Sequence, residues 1–153
     1  MDTAKDEAPS LNEMRAFAYR LLGRREYSEF ELARRIRQKW PGAEGTEELV
    51  AALVEENLVS DERFTESLIR VRLQRFQGPL KIKAALRSKG ISDSIISSRL
   101  YAGTIDWTEL AKQWLKRQHP DRISFEEKKK YYRRLISRGF AHDHAMDALN
   151  QSP

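Results

Sequence analysis

Three histidines and no cysteine narrow the chemistry open to this sequence before any fold is considered. Without thiols there can be no disulfide scaffold, thiolate zinc site, iron–sulfur cluster or cysteine nucleophile. His142-Asp143-His144 offers donor atoms for a cation, but side chains two residues apart on a helix diverge by about 200°. The triplet therefore reads as solvated polar residues at a helix start. The acid pairs Glu47-Glu48, Glu55-Glu56 and Glu126-Glu127 lack a partner with a defined catalytic role. For two of them a place in the first turn, where a carboxylate complements the helix macrodipole, is sufficient reason. Neither Gly-x-x-x-x-Gly-Lys nor Gly-x-Gly-x-x-Gly occurs, so no phosphate-binding glycine loop is expected. The sequence predicts no catalytic residue, no cofactor and no metal.

The cations point to a partner instead. Lys plus Arg number 28 against 23 Asp plus Glu, and the excess is uneven. Residues 11–59 hold eight bases and nine acids, residues 60–105 nine and four, and residues 106–153 ten and seven. Nine bases against four acids cannot all pair within the middle segment, so a polyanionic or acidic partner is expected. Lys83 and Arg87 are i,i+4 neighbours beside the stripe of Ile82 and Leu86. The expected contact surface takes in Arg70, Arg72, Arg75, Lys83, Arg87 and Lys89, with Arg34 and Arg37 as a lesser counterpart in the first segment. Among the aromatics, Trp40, Trp107, Trp114, Phe17, Phe64 and Tyr131 fall on apolar stripes and are expected in the core. Tyr27, Phe76 and Tyr132 lie beside arginines and are expected to face a partner.

These side chains need helices to position them. Apolar residues recur at three and four: Met14, Phe17, Ala18 and Leu21; Leu32 and Ile36; Leu49, Val50 and Leu53; Phe64, Leu68 and Val71; Ile82 and Leu86; Ile96 and Leu100. Leu110, Trp114, Leu135, Ala145 and Leu149 continue the pattern, and no stretch alternates with period two. Ser10…Glu13, Ser28…Glu31 and Ser124…Glu127 have capping-box spacing, and Asp106…Glu109 is its carboxylate variant. Pro79 suits a first turn, while Gly90 and Gly139 suit left-handed stops. The expectation is an all-α chain of nine short helices. No run approaches the ~20 apolar residues of a membrane span, and the start lacks a secretory signal, so a cytoplasmic protein is expected.

The helices repeat. Leu32 to Trp40 aligns with Ile82 to Gly90 and with Tyr131 to Gly139: Leu32, Ile82 and Tyr131 coincide, as do Ile36, Leu86 and Leu135, and the basic ends Lys39, Lys89 and Arg138. The sequence thus divides into an acidic N-terminus at 1–10 and three three-helix repeats at 11–59, 60–105 and 106–150. Stacking of such small units predicts an elongated, curved body.

Several segments resemble the RecX regulators of the RecA recombinase. Arg25-x-x-Ser28-x-x-Glu31-Leu32 is similar to that family's opening motif. Leu53 followed by Leu58-Val59-Ser60-Asp61-Glu62-Arg63-Phe64 resembles its junction, and Gly78-Pro79-x-x-Ile82-x-x-x-Leu86-x-x-Lys89-Gly90-Ile91 its third signature. The resemblance spans residues 12 to 149, with Gly139-Phe140 standing where the third repeat would have Gly-Ile. It implies a non-enzymatic, three-repeat helical regulator that binds RecA filaments on single-stranded DNA. It further implies inhibition of ATP hydrolysis, strand exchange and coprotease activity, and so an influence on recombination, DNA repair and the SOS response. A monomer with weak direct DNA binding and no membrane partner is expected. Two other readings stand beside it: a helical module that binds DNA without RecA, and a scaffold for an unrelated protein.

Overall fold

Serine caps set where the helices begin. In the computed structural model, which describes residues 8–119 and 121–151, Ser10, Ser28, Ser92 and Ser124 each accept a hydrogen bond from the amide three residues on. Asp106 does the same for Glu109. Each bond satisfies one amide that the first turn would otherwise leave open. The first seven residues, most of the expected acidic N-terminus, lie outside the described residues.

Nine α-helices and no strand occur among the described residues: α1 (Leu11–Leu22), α2 (Glu29–Lys39), α3 (Thr46–Glu55), α4 (Asp61–Gln74), α5 (Pro79–Ser88), α6 (Asp93–Leu100), α7 (Trp107–Gln118), α8 (Phe125–Ser137) and α9 (His142–Gln151). Both the all-α class and the repeated helical units agree with the periodicity. None of these helices is long and apolar enough to cross a membrane.

Contacts divide the chain into two units. The first runs to Phe64 and adds Lys89–Ile91; the second is Thr65–Ser88 with the residues from Ser92 onward. In the first, α1, α2 and α3 pack on one another around Met14, Ala18, Leu32, Ile36, Leu49 and Leu53, all at most 2% exposed. Phe17 and Trp40 close its edge at half burial, with ring centroids 5.4 Å apart in an edge-to-face contact. In the second, α5 packs on α6, and α9 packs on both α7 and α8. Its buried residues include Ile82, Leu86, Ile96, Leu100, Leu115, Leu135 and Phe140. Trp114 meets Tyr131 edge to face at 6.1 Å.

Three local expectations are corrected. Ser28 and Glu31 form half a capping box, because the Glu31 carboxylate is drawn to Arg25 and Lys89 rather than back to the cap. Tyr27 is buried at 4% exposure, its ring covered by the Arg25 guanidinium 3.7 Å from the centroid. On α4 the buried residues are Phe64, Thr65 and Ile69, while Leu68 is half-buried and Val71 is exposed. The helix is turned by about one residue from the stripe its apolar spacing suggests.

Candidate functional site

The polar residues of the recurrent motifs gather in the first unit around one carboxylate. Glu31 lies in the first turn of α2 with its side chain 11% exposed. It accepts from both terminal nitrogens of Arg25, at 2.9 and 3.2 Å, and from Lys89 Nζ at 2.7 Å. Burial alone would raise the Glu31 pKa, but the hydrogen bonds from Arg25 and Lys89 prevail and hold it below the ordinary glutamate range. The same carboxylate raises the pKa of Arg25. Ser28 completes the group: its hydroxyl donates to the Lys89 carbonyl at 2.8 Å and accepts from the Glu31 amide at 3.1 Å.

The junction motif ends at the same helix start. Asp61 Oδ1 accepts from the Glu29 amide at 2.9 Å, which satisfies the first amide of α2. Glu29 stands against that acid, and burial, followed by the charges of Asp61 and Glu62, pushes its pKa up. Arg63 bonds the Glu26 carboxylate, the Asn57 side chain and the Asn57 carbonyl, at 3.2, 2.8 and 2.9 Å. Asn57 sits at φ 59°, a left-handed position that asparagine tolerates. These charges serve helix ends and one another. The arrangement holds backbone in place at the start of α2.

A related turn occupies the second unit. The Gly78 amide donates to the Arg138 carbonyl at 2.8 Å, and the Leu80 amide to the Gly139 carbonyl at 2.9 Å. The Arg138 guanidinium donates to the carbonyls of Phe76 and Arg75, the former at 2.9 Å. Gly139 has φ 95°, and a Cβ there would lie 2.4 Å from that of Lys81. In the first unit Gly90 has φ 74°, and a Cβ there would meet that of Phe30 at 2.5 Å. Both turns therefore need glycine for backbone conformation and for room. Phe76, expected to face a partner, is half-buried under the Arg117 guanidinium at 5.1 Å.

The expected basic surface is sorted by its ion pairs. In the first unit Arg34 is exposed and unpaired among the described residues, Arg37 pairs with Glu47 at 3.1 Å, and Lys89 is committed to Glu31. In the second, Arg70 and Arg75 project unpaired from the end of α4, and Arg72 donates to the Gln77 side chain at 2.8 Å. Lys83 stands 5.9 Å from the Tyr101 ring centroid, and Arg87 pairs with Asp93 at 3.1 Å. Arg63, Arg87, Lys89 and Arg99 are the ion-paired bases of segment 60–105. Arg70, Arg72, Arg75, Lys81 and Lys83 have no acidic partner among the described residues, so Lys81 joins the cations without an ion pair although sequence spacing did not single it out.

Among the described residues no group of three or more His, Asp or Glu could hold a metal ion. His142 Nδ1 instead lies 2.8 Å from the Tyr132 hydroxyl, and the two rings meet edge to face.

Comparison with known proteins adds independent observations. Residues 60–100 match the second three-helix domain of RecX. The chain is 38% identical over 124 residues to the regulatory protein RecX of Actinobacillus pleuropneumoniae serotype 5b, covering 81% of this chain and 82% of that protein. It is 35% identical over 143 residues to that of Haemophilus influenzae strain PittEE, covering 90% and 94%. With Chromohalobacter salexigens RecX the identity is 37% over 134 residues, covering 86% and 88%. The crystal structure of RecX from Lactobacillus salivarius shares the fold with a TM-score of 0.78 at 22% identity, covering 92% of this chain and 94% of that one.

Proposed function

The chain belongs to the RecX family of regulatory proteins, and on that premise we propose that it binds RecA filaments on single-stranded DNA and restrains them without catalysis of its own. Its targets are RecA ATP hydrolysis, strand exchange and coprotease activity, and through them recombination, DNA repair and the SOS response in the cytoplasm. The protein acts as a monomer of three helical repeats, 11–59, 60–105 and 106–150.

The observation that carries this reading is the set of middle-repeat cations without acidic partners among the described residues: Arg70, Arg75 and Lys81, which are exposed, and Arg72 and Lys83, which are half-buried. A nucleoprotein filament presents acidic protein surface and phosphate together, the charge such a face attracts. Arg87, Lys89, Arg34 and Arg37 contribute less, because Arg87, Lys89 and Arg37 already face a carboxylate and Arg34 lies in a segment with more acids than bases. Several modest patches spanning adjacent protomers would multiply their effect through avidity, resisting the rearrangement that accompanies nucleotide turnover.

The test is DNA-dependent ATP hydrolysis by RecA with increasing amounts of this chain. Hydrolysis should fall to a low plateau, and the chain alone should release no phosphate. Unchanged RecA turnover at saturating protein refutes the regulator, and phosphate release by the chain alone refutes the non-enzymatic reading. Equal affinity for bare and RecA-coated DNA would favour a direct DNA-binding module.

A further inference from the structure

The groove between α8 and α9 plays no part in the surface just described. It encloses about 570 Å³, and its apolar wall is made by Phe125, Met146 and Leu149. Phe125 is 76% exposed and Met146 37%, so two large apolar side chains of one groove face solvent. Isolated exposed hydrophobics are ordinary; clustered in one concavity and rimmed by charge they mark a contact site. The rim is formed by Lys128, Lys129 and Arg133, none of which has an ion pair among the described residues, and no acid lines the groove.

The wall is also held in position. Ser124 and Glu127 form a complete capping box that brackets Phe125, fixing the start of α8. The Tyr132 hydroxyl is tied to His142 Nδ1 at 2.8 Å, which links the two helices across the groove. A groove whose walls are already ordered asks less of its ligand.

We propose that this groove docks an acidic amphipathic helix, with an aliphatic or aromatic anchor seated on Phe125, Met146 and Leu149 and carboxylates facing Lys128, Lys129 and Arg133. Charge complementarity fixes the acidic character of the partner, and the aliphatic wall fixes the anchor. Methionine adapts to anchors of differing shape. Unpaired nucleic acid fits less well. The Tyr132 ring is taken edge-on by His142 and Lys129 lies 5.5 Å from the Phe125 centroid, which leaves no open pair of ring faces for successive bases.

The experiment requires no RecA, so its outcome is separable from that of the regulatory reading. The probe is a fluorescein-labelled peptide of about eighteen residues with leucines along one helical face and glutamates elsewhere, titrated with the full chain and followed by anisotropy. Saturable binding is expected, with amide shifts in NMR spectra of the labelled chain concentrated on α8 and α9. Lys129→Glu with Arg133→Glu should weaken binding about tenfold or more, and Met146→Glu should weaken it comparably. Arg24→Glu with Arg35→Glu, the same charge change at exposed positions elsewhere, should leave it within about twofold. Equal binding of a peptide of the same composition with its apolar face scrambled overturns the proposal. So does displacement of the peptide by oligothymidylate at comparable concentration, which would assign the groove to nucleic acid.

Discussion

Glu31 and Lys89 are separated by 58 residues in sequence and by 2.7 Å between Oε2 and Nζ. The Lys89 carbonyl takes a second bond, from the Ser28 hydroxyl, so the lysine is held to the start of α2 at two points. Its cation completes a polar cluster in which Glu31 faces both Lys89 and Arg25. Glu31→Gln should therefore destabilise the protein by about 2 kcal/mol at neutral pH, the usual cost of losing hydrogen bonds to a charged group. The folded-state pKa of Glu31 is lowered, so its contribution is present above the ordinary glutamate pKa and lost as pH falls through the folded value. Denaturant melts of the wild type and Glu31→Gln should differ at pH 7 and converge in acid. A difference that persists unchanged at the lowest pH would show that the charge of Glu31 is not the source.

What was legible in the sequence was whatever depended on near neighbours. Ser10 with Glu13 and Ser124 with Glu127 form complete capping boxes, the second even though His119 Nε2 lies 2.7 Å from the other oxygen of Glu127. The same spacing at Ser28 and Glu31 is overridden by Lys89, which local sequence cannot place beside α2. Tyr27 reads as a surface residue because arginines flank it, yet one of them covers its ring and the tyrosine is core. Excess charge in the middle segment was plain, but which cations remain unpaired depends on acids as distant as Glu26 and Glu31. The groove of α8 and α9 left one trace, Phe125 followed closely by Lys128-Lys129-Lys130, and its other wall lies on the next helix.

Glu29 should behave oppositely to Glu31. Burial and the neighbouring charges of Asp61 and Glu62 raise its pKa, so its protonated form is favoured in the folded state. That favourable contribution is full below the unfolded pKa and lost as pH rises through the folded one, leaving a penalty at neutral pH. Glu29→Gln should stabilise the protein at pH 7 by less than about 1 kcal/mol, discounted because the side chain is partly solvated. The gain should vanish below the ordinary carboxylate range. A loss of stability at neutral pH would contradict the repulsion.

Two glycine substitutions should separate steric room from backbone conformation. A Cβ on Gly78 would lie 2.3 Å from the Gly139 carbonyl carbon and the Phe140 amide nitrogen, where both neighbours are backbone. Gly103, at φ 81°, has nothing within 4 Å of such a Cβ and needs glycine for conformation alone. Gly103→Ala should cost about 1 kcal/mol, and Gly78→Ala about 3 kcal/mol or more. Thermal melts by circular dichroism measure both, and failure of Gly78→Ala to fold satisfies the same ordering. Equal melting temperatures would mean that the Gly78–Gly139 approach is loose in solution.

The basic face carries the last prediction. Arg70 and Lys83 have no acidic partner among the described residues, whereas Arg87 is paired with Asp93 at 3.1 Å. If filament binding draws on free positive charge, Arg70→Ala with Lys83→Ala should weaken it more than Arg87→Ala with Lys89→Ala, although each pair removes two cations. The salt dependence of binding should flatten in the same order, because exposed attraction is screened beyond ~8 Å at physiological ionic strength. Stability should discriminate in the opposite sense. The Arg70/Lys83 pair should melt within about 1 kcal/mol of wild type, since neither side chain has an ion pair and only Lys83 is half-buried. The Arg87/Lys89 pair should melt lower, because Lys89 is bonded to the buried Glu31. Filament affinity measured across a salt titration, beside melting curves of the same proteins, decides the matter. Equal loss of affinity in both double variants would assign the contact to total charge rather than to the unpaired cations of α4 and α5.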